Sequence, residues 1–433
     1  MIRQKALLSL LALCAVAAGQ KGYVAQQPPA DLSPASHLSA AEQKENFEFL
    51  WTAIDEIYAG FKLKSIDWTE VHRRYRGRLE SVEDTDGFYR LLFQLVNELK
   101  DTHSWLQNYR IPLPGYGPGI AVDLFGSKPF VVAARPETGI EPGWELLSVD
   151  GLTIAQKMEA MRAILPARSS ERAWQRDACR FLLAGERGSS IALKVRAPDL
   201  TETSLALART AGIARPRESP APTELIRQRF VHFGVLPSGI GYMRIDSFNG
   251  HDEVAAEFDR ALNELRTAPA LILDIRDNPG GFGQQRIVGR FLEKSRLVSI
   301  SYTKAGPRHN DLVRHELHLG PIGAWQYTRP VALLVNDRTG SAADLFTCWL
   351  RSAHRVVTIG STTHGNLSGV AAYAVLPCGL VVRISNGYVC DAANRPIEVN
   401  GNVPDIAVEP SVADYLGGRD PVLERAVSEL RSR

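Results

Sequence analysis

Neither charge nor cysteine dominates this chain. Its 50 Lys and Arg against 48 Asp and Glu leave a formal charge of +2, which supplies no basic field for nucleic acid or an anionic membrane surface. Five cysteines in 433 residues are too few for a disulfide scaffold. No group of Cys and His stands at metal-ligand spacing, so neither a metal nor a cofactor is expected. No internal repeat is visible, which excludes a repeat array. The one long apolar run, residues 6–18, is short for a membrane span.

That run has a specific setting. Arg3 and Lys5 precede it, and Ala15, Ala17, Ala18 and Gly19 close it. These are the charged, apolar and small-residue regions of a secretory signal peptide, placed at 1–19. The chain is expected to be exported, periplasmic or secreted, or tethered by its N-terminus. Leu11-Ala12-Leu13-Cys14 loosely resembles a lipoprotein cleavage box, with Leu13 a poor residue before the cut. Residues 20–36, rich in Pro, Gln, Ala and Ser, read as a flexible leader. Export permits disulfides; Cys378 and Cys390, flanking an expected hairpin, are the favoured pair, and Cys348 reads as core.

Residues 37–110 read as a helical domain. The first helix spans 39–58, with a cap at Ser39 and a stripe of Phe47, Leu50, Trp51, Ile54 and Ile57. A second begins at Asp67-Trp68, and a third runs from about Asp86 to Leu99, completing a small bundle. The periodicity stops at Lys100-Asp101-Thr102-His103-Ser104, leaving His103 in a polar turn. Residues 111–210 change character. Short strands are expected at 120–122, 130–134 and 143–149, then an Asp150-Gly151 turn, helices at 154–165 and 171–183, and a strand at 190–196. This pattern resembles a PDZ domain, with Trp144 in place of the usual Asp. Such domains bind an extended peptide as an added strand. Residues 211–226, rich in Pro, Arg and Ala, read as a linker.

Residues 227–433 alternate strand and helix signals, which suggests a layered domain. Strands are expected at 241–248, 271–276, 297–302, 331–335, 356–359, 371–376 and 380–385, and helices at 252–266 and 284–294. The run 271–276 is continuously apolar up to its charged end, as in a strand buried on both faces. It leads into Asp277-Asn278-Pro279-Gly280-Gly281, where paired glycines let the backbone approach a ligand. Asn386-Gly387 is a strong hairpin signal. The stretch 331–335 also ends in turn formers, Asn336, Asp337 and Gly340. Ser341 then opens a helix with apolar Ala342, Leu345, Phe346, Trp349 and Leu350. A serine at such a corner caps a helix well. It also holds a hydroxyl beside free N–H groups and the positive end of the helix dipole, where an oxyanion is stabilised.

Four stretches occur in a family order: Gly241-Tyr242-Met243-Arg244-Ile245-Asp246-Ser247-Phe248, Leu273-Asp274-Ile275-Arg276-Asp277-Asn278-Pro279-Gly280-Gly281, the Ser341 segment, and Glu398-Val399-Asn400-Gly401-Asn402-Val403-Pro404-Asp405. Together they resemble the C-terminal processing peptidases and tricorn-core peptidases, as do the N-terminal helices ending in Asp-Thr-His-Ser and the PDZ-like insert. The resemblance implies an α+β multidomain chain with a helical bundle, a PDZ-like domain and a crotonase-like core. It also implies serine-peptidase chemistry near peptide C-termini. The processing branch uses a lysine base downstream of the serine; here Asn366 stands in that place, and an amide accepts no proton at neutral pH. The tricorn-like branch uses a histidine preceded by a hydroxyl residue, with a later glutamate. His103, Thr102 and Glu398 match it. On this resemblance Ser341 is the nucleophile and His103 the base, with Thr102 or Glu398 orienting the imidazole. Backbone N–H groups of Gly281, Gly280 and Ala342 would form the oxyanion hole. His364 is a rival base. The expected partner is a polypeptide or peptide, recruited by the PDZ-like groove or gated by it; homo-oligomerisation is left open. Two other readings share these residues: a non-catalytic binding protein on the same fold, and an esterase using the same serine.

Overall fold

The computed structural model describes residues 23–24, 28–369 and 371–432; the expected signal peptide at 1–19, with Cys14, lies outside them. Ser39 and Glu42 form a reciprocal capping box on the first helix, Ala40–Ile57. Asp67 and Asp84 cap the next two, Trp68–Leu79 and Thr85–Asn97. Their apolar faces, with Phe47, Leu50, Ile54, Phe88 and Leu92, pack on one another but do not form a core of their own. They share one core with Ala374, Leu376, Leu380, Val382 and Ile384. Those residues belong to the hairpin Ala371–Val375 and Val381–Ser385, which pairs with Tyr23–Val24 on one side and Trp105–Leu106 on the other. The end of the leader is docked as well: the Ala35 N–H donates to the Cys378 carbonyl, and the Tyr89 hydroxyl donates to the Ala35 carbonyl.

The second unit is an antiparallel sheet ordered Ile120–Phe125, Lys128–Ala134, Glu145–Val149, Ser190–Arg196 and Glu202–Ala208, with Leu152–Thr153 paired to Glu145–Val149. Helices Ile154–Met161 and Glu171–Cys179 cover its core of Val131, Val149, Trp174, Leu182 and Ile191. Both helices stop short of their expected ends. Strand Glu202–Ala208 is mostly solvent-facing, so only Leu205 and Leu207 carry its apolar signal. The expected linker begins with Ala211–Gly212 paired to Tyr116–Gly117.

The third unit is a seven-stranded sheet ordered Ile226–Arg227, Val231–Val235, Gly241–Ile245, Leu271–Asp274, Val331–Val335, Val357–Gly360 and Ile406–Ala407. From Gly241–Ile245 onward every pairing is parallel. Helices Asp252–Glu264 and Ala342–Ser352 lie on the face that holds Leu271, Leu273, Val331 and Leu333. The other face, with Ile272, Ala332 and Leu334, packs on helix Pro421–Arg431. Burial on both faces is why these strands read as unbroken apolar runs. Pro421–Arg431 itself was not anticipated, although Asp420 caps it and Pro421 opens it.

Two expectations fail at a separate three-stranded sheet, made of Leu312–Leu319, Arg296–Lys304 and Gly387–Cys390. Asn386-Gly387 makes no hairpin. The chain changes sheets there, from a partner in Ala371–Val375 to one in Arg296–Lys304. Gly387 is needed for close strand approach, since a Cβ would stand 2.5 Å from the Tyr302 carbonyl oxygen. Cys378, in the turn between Ala371–Val375 and Val381–Ser385, and Cys390, at the end of Gly387–Cys390, are therefore not brought together, and both are free, buried thiols. Cys348 lies in the core as expected. Among the described residues no helix is long and apolar enough to cross a membrane.

The strand that leads to the paired glycines ends in a buried ion pair. Asp274, fully buried, accepts from Arg276 at 2.6 Å and from the Tyr242 hydroxyl at 2.7 Å. Arg276 reaches on to Asp420, the cap of Pro421–Arg431, at 2.8 Å. Burial alone would raise the Asp274 pKa, but Arg276 and Arg244 hold it below the usual carboxylate range. Its stabilisation is therefore present above that range and lost as pH falls through the folded pKa. Asp274→Asn leaves Arg276 and Arg244 short of a buried counter-charge; we expect a loss of about 3–5 kcal/mol in urea unfolding at pH 7 and a smaller loss at pH 3.

Candidate active site

The parallel strands deliver their C-terminal loops to one edge of the sheet, the place where open α/β sheets hold ligands. One side chain stitches three of these loops together. Asn278, fully buried, donates to the Ile245 carbonyl at 2.9 Å and accepts the Gly280 N–H at 2.9 Å. Its own carbonyl accepts the Gly340 N–H at 3.0 Å. The Thr339 hydroxyl, also buried, donates to the Ile275 carbonyl at 3.0 Å.

Ser341 follows at φ 55 and ψ −118, and its side chain makes no capping bond to Ala342–Ser352. It occupies the cap position without acting as a cap, in a backbone region that costs a non-glycine residue roughly 1–3 kcal/mol. The Asn366 side-chain oxygen accepts the Ser341 N–H at 2.5 Å, so the amide standing in the lysine position helps fix the serine backbone. Asp344 in turn accepts the N–H groups of Gly365 and Asn366 at 3.0 and 3.2 Å. Burial pushes the Asp344 carboxyl up to about 6, against those hydrogen bonds.

His103 arrives from the N-terminal helices. Its Nε2 stands 3.3 Å from Ser341 Oγ, across 238 residues of chain. Its Nδ1 stands 3.1 Å from Ser368 Oγ, and Ser368 Oγ donates to Asp101 Oδ1 at 2.8 Å. Asp101 Oδ1 also accepts the His103 N–H at 2.7 Å and the Ser385 hydroxyl at 3.3 Å. Arg383 donates to the His103 carbonyl. Burial pushes the imidazole down to about 4; Asp101 opposes this, and Arg383, Lys64 and Arg168 add to it. Burial alone would raise Asp101, but Lys64, His103 and the Ser368 hydrogen bond hold it below its ordinary value.

Three expected roles change. The Thr102 hydroxyl accepts the Ser169 N–H at 2.9 Å, and the Thr102 N–H donates to Ser169 Oγ at 3.1 Å. Thr102 thus anchors the loop instead of the imidazole. Glu398 pairs with Lys64 at 2.6 Å, and Lys64 lies 3.8 Å from Asp101 Oδ2. The ammonium so stands between Glu398 and the aspartate that serves His103. Burial pushes Glu398 up to about 7 despite Lys64. Gly280 cannot serve an oxyanion, because its N–H is taken by Asn278. It packs instead under the serine: a Cβ there would stand 2.7 Å from Ser341 Cβ and 2.8 Å from Ala342 N. Among the described residues the Gly281 and Ala342 N–H groups meet no protein acceptor. His364 packs beside Gly340, and its N–H donates to the Thr339 carbonyl.

Asp101, Ser368 and Lys64 were missed. Asp101 had a signal, since an aspartate two residues ahead can accept a local backbone N–H. Ser368 in its Gly/Thr-rich loop and Lys64 had none. Among the described residues no group of His, Cys, Asp and Glu could hold a metal.

Residues 239–408 match the family model described as peptidase family S41, and residues 39–97 that of the tricorn protease C1 domain. The chain is 25% identical over 259 residues to a carboxy-terminal-processing protease of Bartonella bacilliformis, covering 58% of this chain and 56% of that one. It is 24% identical over 420 residues to tricorn protease homolog 1 of Streptomyces coelicolor, covering 90% of this chain and 35% of that one. It thus spans about half the length, or less, of these curated relatives. The crystal structure of mature CPAF superimposes with a TM-score of 0.71 at 15% identity, covering 90% of this chain and 96% of that one. The photosystem II D1 C-terminal processing protease gives a TM-score of 0.50 at 19% identity, covering 90% and 97%. At such identities these two structures establish a shared mixed α/β fold.

Gly281, at φ 132, leaves no room for a Cβ against the Phe248 backbone. Should the Gly281 N–H serve an oxyanion, Gly281→Ala is expected to shift it and to lower kcat by roughly 10²–10³, with KM little changed, in steady-state peptide hydrolysis.

Proposed function

The chain carries a peptidase family S41 domain with a tricorn protease C1 domain ahead of it, and from that premise we propose that it is a serine peptidase of the histidine-using design, cleaving polypeptides or peptides. The observation that carries this reading is Ser341 Oγ at 3.3 Å from His103 Nε2. A serine hydroxyl is a weak nucleophile until a base takes its proton. His103 accepts that proton as Ser341 Oγ attacks the scissile carbonyl carbon. The Gly281 and Ala342 N–H groups stabilise the oxyanion that forms. The imidazolium then gives the proton to the leaving amine as the C–N bond breaks, and water repeats the sequence to release the acyl group. Asn366, bonded to the Ser341 N–H, takes no proton in this scheme.

The finer architecture belongs to the same proposal. The sheet at 120–208 acts as a PDZ-like module presenting peptide to the site, and the seven-stranded sheet with its helices as a crotonase-like core. The N-terminal charge and hydropathy pattern supports export to the periplasm or beyond.

Fluorophosphonate labelling tests the reading. The expected result is rapid labelling of the wild type, none for Ser341→Ala, a loss of at least about 10³-fold in rate for His103→Ala, and slower labelling that nonetheless survives in Asn366→Ala, which loses a hold on the Ser341 backbone but no base. Labelling independent of His103 would defeat the assignment, and turnover of esters without peptides would favour the esterase. Because His103 must be neutral to act and its pKa is pushed down to about 4, kcat/KM is expected to stay level from pH 8 to 6. It should fall only as pH drops toward 4, read from a pH–rate profile.

A further inference from the structure

We propose that Ser368 is the positioning residue of the base, a hydroxyl bridge through which Asp101 fixes the His103 tautomer, and that Glu398 stands outside this bridge. The inference rests on the peptidase reading above and assigns the part of that site which its chemistry left open.

The argument is one of donors and acceptors. An ionised carboxylate only accepts. Ser368 Oγ lies 2.8 Å from Asp101 Oδ1, so its single proton points there. Its lone pair is then what faces His103 Nδ1 at 3.1 Å, and Nδ1 must carry the hydrogen. Nε2 is left bare toward Ser341 Oγ, as a general base requires. Without the hydroxyl, nothing among the hydrogen bonds of Nδ1 selects this tautomer. The Asp101 carboxylate is itself fixed by the His103 N–H and the Ser385 hydroxyl, and the Ser385 N–H donates to Ser104 Oγ at 3.0 Å.

Glu398 has a different neighbour. Its oxygen lies 2.6 Å from Lys64 Nζ, which also donates to the Lys100 carbonyl at 2.7 Å. Lys64 closes the string toward Asp101 Oδ2, so Glu398 acts on His103 only by offsetting the ammonium. No proton crosses the bridge during the reaction. The Ser341 proton moves to Nε2 and on to the leaving amine, while the Nδ1 hydrogen stays in place and its bond to Ser368 strengthens as the ring becomes charged. The charged groups around the imidazole are Asp101, Arg383, Lys64 and Arg168.

The test uses the full chain with Ser368→Ala, Ser368→Thr, Asp101→Asn, Glu398→Gln and Lys64→Met, each checked by circular dichroism. Ser341→Ala and His103→Ala report on the peptidase reading itself. The expected result is a fall in kcat of about 10²–10³-fold for Ser368→Ala with KM within about twofold, and recovery of most of it in Ser368→Thr. Asp101→Asn should match Ser368→Ala, and Glu398→Gln should stay within about tenfold of wild type. Nitrogen-15 spectra of the imidazole should show a single Nδ1–H tautomer in wild type and a mixture in Ser368→Ala. The acid limb of kcat/KM should move to higher pH in Lys64→Met, where a cation that lowers the His103 pKa is gone. If Ser368→Ala keeps wild-type kcat and tautomer while Glu398→Gln loses at least about 10²-fold, the bridge is overturned and Glu398 is the supporting acid. A wild type that neither labels nor cleaves defeats the peptidase reading, and the bridge with it.

Discussion

The proposed chemistry depends on holding two side chains 3.3 Å apart that are separated by 238 residues. The constraint is met by apolar packing well away from the site. The N-terminal helices contribute Phe47, Leu50 and Leu92, and the hairpin near the C-terminus contributes Ala374, Val382 and Ile384, to one core. Strand Trp105–Leu106, just beyond His103, pairs with Val381–Ser385. The histidine is therefore registered against the same strands whose neighbouring loop supplies Ser368. A helical bundle with a core of its own would leave the base on a surface loop. Sharing the core makes the base part of the sheet.

The edge of the central sheet carries strained backbone beside the serine. Asp277 at φ 63 and Ser341 at φ 55 both sit in backbone regions that non-glycine residues avoid. The compensation is polar and buried. Asn336 accepts the Asp277 N–H at 3.0 Å and donates to its carboxylate at 2.9 Å. Asn366 holds the serine N–H. Such residues persist only where their surroundings over-determine them, and here short Asn, Asp and Thr side chains do so. The preorganisation that leaves the Gly281 and Ala342 N–H groups free comes from the same bonds.

The fold was legible wherever burial imposes a period. Leu271–Asp274 and Val331–Val335 read as doubly covered strands because alternate residues enter different cores, and Ser39 with Glu42 announced a helix start. Leu312–Leu319 was harder, since it is an edge strand whose residues are all half-exposed or exposed. At the candidate site, Ser341, His103 and Gly281 could be singled out because each stands at a local backbone feature: a strand–helix corner, the end of a helix and a pair of glycines. The acid was not. Glu398 and Asp101 both lie near His103 in the folded protein, and what distinguishes them is a lysine from a third segment. Lys64 claims Glu398 and leaves Asp101 to Ser368. Asn386-Gly387 misled for a related reason: the glycine answers to the Tyr302 carbonyl of another strand, a contact no local pattern encodes.

The same reasoning bears on the small sheet domain, whose attachment is more than a tether. Its helix Glu171–Cys179 and the two serines before it touch three loops of the candidate site. Ser169 exchanges two hydrogen bonds with Thr102, next to His103. Ser170 donates to the His364 carbonyl at 2.8 Å, and Arg172 donates to the Thr363 carbonyl, in the loop that carries Asn366 and Ser368. Arg176 pairs with Asp337, in the turn before Ser341, and with Asp123 of its own domain at 2.6 Å. Arg338 of that turn returns to Asp123 at 2.6 Å. These ions are largely out of water, where breaking one pair strands the other charge at a cost of several kcal/mol. The domain therefore cannot rotate as a free body. Any movement of Glu171–Cys179 must pull on the loops of His103, Ser341 and Asn366 together, so the geometry of the candidate site and the position of this domain are set by one network.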